Sequence, residues 1–186
     1  MIKKSKISED PIKKTPQKIN LALIIVSTSQ FHELKEKKKT SDKIIPKVER
    51  LLKDNQSISL AFSEIITDSE DHINKVLVEL MKDDKIDAIL FSGGMGLSKK
   101  DITYETLEPR FEKKINGFGE LLRSLSYNEI GTPAMLYRAT AGILRSKKKS
   151  KAIFLLPGSP DAVSLALQYI IIPELGNILN LINKEE

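Results

Sequence analysis

The strongest constraint on this chain is an alternation. Short apolar runs rich in branched side chains are each followed by a stretch with helical periodicity. Residues 19–26, "INLALIIV", are almost wholly apolar, and a run of that length suits a strand buried on both faces. A polar loop is expected over 27–40, with the lysine run Lys35 to Lys39 read as solvated. "SDKIIPKVERLLKD" then sets Ile44, Ile45, Val48, Leu51 and Leu52 at helical spacing. Ser41 or Asp42 can cap that helix, and Pro46 places its regular start close by. A second strand is expected over 57–66. Behind it Ile73, Val76, Leu77, Leu80 and Met81 form an amphipathic stripe, with Asp68 or Ser69 as cap. "IDAILFS", 86–92, is a third strand and "AIFLLPGSP", 152–160, a fourth with a loop at its end. The rest is expected as a helix interrupted at Pro173.

Strands alternating with helices at this spacing imply right-handed crossovers. The expected class is α/β: a three-layer α/β/α sandwich with a mostly parallel central sheet, Rossmann-like. A hydrophobic share of 40% in 186 residues supplies core for one domain over 19–186. Residues 1–18 hold six lysines against Glu9 and Asp10, and read as a disordered basic arm. That arm alone does not make a nucleic-acid-binding protein, because the body carries no such motif. "SKKKSK", 146–151, reads as an exposed turn. The absence of cysteine excludes disulfides and thiolate metal sites and fits a cytoplasmic setting. No uninterrupted apolar run reaches the roughly 18 residues a membrane span needs, and no secretory signal is expected. His32 and His72 stand apart among charges and read as surface residues, with no Ser-His-Asp order for a hydrolase.

Ligands of such sheets bind outside the carboxyl ends of the strands. All four expected strands end in polar or glycine-rich loops: Ser27-Thr28-Ser29, Thr67-Asp68, Ser92-Gly93-Gly94-Met95-Gly96 and Pro157-Gly158-Ser159-Pro160. Glycines let successive N–H groups face phosphate oxygens, so "SGGMG" has the capacity of an anion cradle, but a plain turn explains it as well. Ser159 is a good N-cap and Pro160 a good first helical residue, so the fourth loop either binds a phosphate at a helix N-terminus or merely caps that helix. Asp68 and Asp101 both follow strand ends. They can share Mg²⁺ with phosphate oxygens, or cap the helices behind them.

Four blocks in order carry a resemblance. "SGGMGLSKKDIT", "INGFGELLRSLSYNEIGTPAMLYRATAG", "LLPGSPDAVSLAL" and "IIPELGNIL" are similar to the molybdopterin-binding proteins of molybdenum cofactor biosynthesis, the MoaB/MogA type, over about residues 19–182. The resemblance implies an α/β/α fold, a trimer or hexamer, and adenylyl transfer from Mg-ATP to molybdopterin. It implies catalytic roles for Asp68 and Asp101, with Mg²⁺ on Asp101 and Asp68. It also implies a pterin and nucleotide pocket built from Ser27, Ser92, Gly93, Gly94, Met95, Gly96, Pro157, Gly158 and Ser159, with Arg138 as a further cation or a subunit contact. The chain departs from the family pattern at several places. Ser92 and Met95 stand where the signature has threonine, Lys100 where it has arginine, and Tyr104 and Asn116 where it has proline. Ser27-Thr28-Ser29-Gln30 lacks the usual charges of the first loop, and Ser41-Asp42 replaces Ser-Gly. A non-catalytic pterin-binding or oligomeric scaffold of the same fold is therefore the alternative expectation.

Overall fold

The computed structural model describes residues 18–146 and 149–184. The basic arm, but for Lys18, lies outside the described residues. Six strands form one sheet: β1 (Ile19–Val26), β2 (Ile58–Ile66), β3 (Ala88–Ser92), β4 (Lys113–Lys114), β5 (Thr140–Leu144) and β6 (Lys151–Leu156). Their order is β2-β1-β3-β6-β5-β4. The first four in that order run parallel, β5 runs antiparallel to β6, and β4 runs antiparallel to β5. The antiparallel pair was not foreseen, because β4 is two residues long and β5, "TAGIL", carries a glycine.

Strand alternation divides the core in two. Leu21, Leu23, Ile25, Leu90 and Phe154 face one side. There they meet α2 (Ile44–Leu52), α5 (Asn116–Ile130), α6 (Pro160–Ala166) and α7 (Ile172–Ile182). Ala22, Ile24, Phe91, Ile153 and Leu155 face the other side and meet α3 (Glu70–Lys82) and α4 (Thr103–Leu107). This is the expected α/β/α sandwich. The central strands β1, β3 and β6 are almost wholly buried because both their faces are covered.

Several local expectations are corrected. The stretch 27–40 is not wholly loop: Thr28–Lys35 is a helix, α1, capped by Ser27. It buries no residue fully, so it carries no strong apolar stripe to read. Asp42 caps α2 by accepting from the N–H groups of Ile44 and Ile45, each at 3.0 Å, while Ser41 turns to Glu33. Ser69, not Asp68, caps α3. The run 146–151 is not all exposed: Lys151 begins β6 and is fully buried. The helix is not broken at Pro173. A single π-helical turn, Leu167–Ile171, joins α6 to α7. A widened turn there accommodates a proline ring that would clash with the carbonyl four residues back in a regular α-helix.

That continuous helix, Pro160–Ile182, contains an 18-residue stretch with a mean hydropathy of 1.5 and is long and apolar enough to pass a length-and-composition test for a membrane span. Gln168, Glu174 and Asn177 interrupt its apolar run in the sequence, which is why counting consecutive residues misses it. Here Leu167, Ile171, Leu175 and Leu179 are packed into the core.

Candidate active site

From β1 the chain passes to one neighbour, β2, and then returns to the other, β3. The strand order thus reverses between β1 and β3, where an open α/β sheet leaves a crevice. The ends of β1, β3 and β6 share one cavity of about 520 Å³ there. Such a volume suits a small-molecule ligand.

The β3 loop forms the floor. Gly93 has φ +105°, and a Cβ on it would lie 2.3 Å from the Val26 carbonyl oxygen, so only glycine fits between the two strands. Its N–H donates to the Leu156 carbonyl at 3.1 Å, which removes it from the expected set of anion donors. The N–H groups of Gly94, Met95, Gly96, Gly158 and Ser159 have no intramolecular acceptor among the described residues. Those five can receive anionic oxygens. The Ser92 hydroxyl is buried and donates to the Pro157 carbonyl at 3.0 Å, joining the two loops rather than facing a ligand. Ser159 Oγ accepts from Ala162 N at 3.4 Å and caps α6. Ser27 caps α1, and its hydroxyl lies 3.2 Å from that of Ser29.

Met95 belongs to the cavity wall and also to the buried cluster beneath the sheet, at 4% exposure. It anchors the loop by apolar packing where the family signature has a hydroxyl. Asp101 is the single charged side chain that lines the cavity among the described residues. It does not cap α4, which begins without a side-chain cap. Its Oδ2 accepts from Ser98 N at 3.1 Å, and Asp101 N donates to the Ser98 carbonyl at 3.0 Å. The carboxylate is thereby fixed beside Gly96, where a Cβ would sit 2.7 Å from Oδ2.

The structure does not bring Asp68 into this lining. Its carboxylate accepts from the Thr28 hydroxyl, and Thr28 Oγ1 accepts from Asp68 N at 3.1 Å, so it ties the β2 end to the start of α1. His72 is half-buried beside it, with Nδ1 3.0 Å from Thr67 Oγ1 and its ring edge-on to Phe31. Arg138 also lies outside the cavity. Its Nε donates to the Met95 carbonyl at 3.0 Å, its two terminal nitrogens hold Glu105, and its guanidinium is 5.0 Å from the Tyr104 ring centroid. The Arg138 hydrogen bond holds the Glu105 carboxyl below its usual range, and the same bond raises Arg138. Burial, with the Glu108 charge next, raises the Tyr104 hydroxyl.

The sequence did not mark Gln30, Ile44, Leu136 or Tyr137 as site residues, yet all four line the cavity. Tyr137 had a signal, being adjacent to Arg138 in "YRATAG". Ile44 did not, since it reads as helix stripe. Among the described residues no group of three or more His, Asp or Glu side chains gathers as a metal centre. One carboxylate beside phosphate-receptive amides still fits Mg²⁺, which takes few protein ligands when it travels with phosphates.

Fold and cavity together define a doubly wound α/β protein whose switch-point cavity has the chemistry to suit an anionic small molecule. Residues 22–177 match the family described as "Probable molybdopterin binding domain", and the chain belongs to that family. It is 40% identical over 128 residues to "Molybdenum cofactor biosynthesis protein B" of Bacillus subtilis, covering 68% of this chain and 73% of that protein. It is 37% identical over 161 residues to "Probable molybdopterin adenylyltransferase" of Methanocaldococcus jannaschii, covering 87% of this chain and 92% of that protein. Among solved structures it resembles the "tungsten cofactor synthesizing protein MoaB from Pyrococcus furiosus", with a TM-score of 0.75 and 31% identity over 91% of this chain and 99% of that one.

Proposed function

We propose that this chain is a molybdopterin adenylyltransferase of molybdenum cofactor biosynthesis, using Mg-ATP. The observation that carries the reading is that Asp101, the glycine loop and the Pro157-Gly158-Ser159 loop line one cavity. In the reaction the terminal phosphate oxygen of molybdopterin attacks the α-phosphorus of ATP. A new P–O bond forms, the bond from the α-phosphorus to the bridging oxygen breaks, and pyrophosphate leaves. The protein's task is positioning and charge stabilisation. The free N–H groups of residues 94–96 and 158–159 hold phosphate oxygens, and Ser92 keeps the two loops in register. Mg²⁺ held by Asp101 would neutralise phosphate charge, a service this cavity needs because no Lys or Arg lines it among the described residues. Asp68 supports the site through Thr28 and α1.

The relatives' names support the reading at the level of pathway and reaction. A homo-oligomer in the cytoplasm is part of the same proposal. Its support is a set of exposed apolar side chains, Leu121, Tyr127, Met135, Leu136 and Tyr169, on α5, the turn after it and the C-terminal helix. The test is to incubate purified protein with Mg-ATP and molybdopterin and look for adenylylated pterin and pyrophosphate. Product is expected. Pterin binding without product would favour the scaffold, as Met95 in place of a hydroxyl suggests, and Met95→Thr would then restore turnover.

A further inference from the structure

We infer that Gln30 is the residue that reads the heterocyclic ring of the ligand, accepting a ring-borne N–H at its Oε1. This rests on the reading of the cavity as a pterin and nucleotide site. Gln30 stands in the first turn of α1, where its N–H meets the Ser27 hydroxyl at 3.5 Å. Its side chain lines the cavity, and its Oε1 is buried with no hydrogen-bond partner. A buried carbonyl oxygen without a donor is costly, and native structures rarely leave one so. A ligand donor would relieve that cost once the carboxamide turns its Oε1 out of this buried position to the cavity that the side chain lines. Phosphate oxygens are acceptors and cannot supply it. An amine or ring N–H can, and both adenine and a pterin carry such groups along a flat edge.

The surroundings agree. Ile25 and Val26 end β1 and line the cavity with Gln30, which follows them in α1, whereas the anion-receptive amides belong to the β3 and β6 loops. Apolar walls with one carboxamide suit a planar ring, since one well-placed polar group fixes its orientation. Phosphates thus lie across the β3 and β6 loops, and a ring lies towards β1.

The test is equilibrium binding to wild type and Gln30→Leu, using Mg-ATP, molybdopterin and Mg-tripolyphosphate, which has phosphates but no ring. Gln30→Leu should lose about tenfold in affinity for one ring-bearing ligand. Which ligand suffers tells whether Gln30 reads adenine or pterin. Tripolyphosphate should bind both proteins alike. Gln30→Met, with melting curves on both variants, guards against a folding defect in one of them. Unchanged affinity for both ring-bearing ligands overturns the inference while leaving the adenylyltransferase reading standing. An equal loss for tripolyphosphate overturns it too, because the whole cavity would then have changed. Failure of the wild type to bind either ring-bearing ligand overturns both readings.

Discussion

Arg138 donates its Nε–H to the carbonyl of Met95 at 3.0 Å, joining the chain before β5 to the glycine loop after β3. Met95 is fixed from below by the apolar cluster and from outside by this arginine. The loop's free N–H groups are consequently held in one arrangement before any ligand arrives, and such preorganisation lowers the cost of binding and of reaction.

Replacing Arg138 by Met should therefore lower kcat/KM by about tenfold to a hundredfold, because small misplacements of positioning groups are expensive. Arg138→Lys should resemble Met more than wild type, since an ammonium cannot serve Met95 and Glu105 with one planar fork. Glu105→Gln should cost little, because Glu105 is more than half exposed and such pairs are worth about 0–1 kcal/mol. The folded carboxyl of Glu105 titrates below its ordinary 4.5, so its contribution is present above that pH and lost as pH falls through the folded value. Steady-state kinetics on the three variants check the order, and a fully active Arg138→Met would refute the brace.

Asp101 and Asp68 should separate in mutagenesis. Asp101→Asn removes the cavity's charge and should reduce adenylylation by about a hundredfold or more, with the melting temperature little changed. Among the described residues the hydrogen bonds of Asp68 tie it to the site through Thr28. Asp68→Asn and Thr28→Val should then give similar losses, and the double variant should be no worse than either single one, the signature of residues acting as a unit. Additive losses would show that Asp68 has an independent role.

How far the sequence could be read follows from the same residues. β1, β3 and β6 were legible because strands covered on both faces are apolar throughout. α3 was legible because Ile73, Val76, Leu77 and Leu80 face one buried side. α1 was not, since it has no buried residue, and β4 and β5 are too short or too glycine-containing to register. At the site, both loops and Asp101 could be placed by their position after strands. The partners of Arg138 could not, because a guanidinium shared between Met95 and Glu105 is a tertiary fact with no local spacing. The same holds for the Asp68–Thr28 link.

Gly93→Ala should be among the most damaging single changes. Its Cβ would lie 2.3 Å from a backbone oxygen at a φ that L-residues rarely adopt, and backbone cannot rotate away as a side chain can. Loss of about 3 kcal/mol or more, or failure to accumulate as soluble protein, is expected. Ser92→Ala, by contrast, should fold and lose about 1–3 kcal/mol, because it leaves the Pro157 carbonyl without its donor. Urea unfolding of both variants tests the ranking, and a Gly93→Ala protein as stable as wild type would contradict the close approach of β1 and β3.

Lys151 makes the last prediction, on stability rather than catalysis. It is fully buried, and its Nζ donates to the carbonyls of Leu80, at 2.6 Å, and Asp83 at the end of α3. Burial, with Lys149 nearby, lowers its ammonium below the ordinary 10.5. Between the folded value and 10.5 the unfolded chain binds more protons than the folded one, so this group makes stability rise with pH across that window. Loss of charge does not undo the contacts, since a neutral amine keeps two N–H groups for two carbonyls. Lys151→Met removes both donors and should cost about 1–3 kcal/mol at pH 7. Relief from that burial penalty offsets part of the loss at pH 7, and the offset shrinks as pH rises towards 10.5. The stability gap should therefore widen from pH 7 to pH 10, with other titrations cancelling in the difference. Urea melts at the two pH values measure it, and a gap that narrows would show that Lys151 is held more by its charge than by its hydrogen bonds.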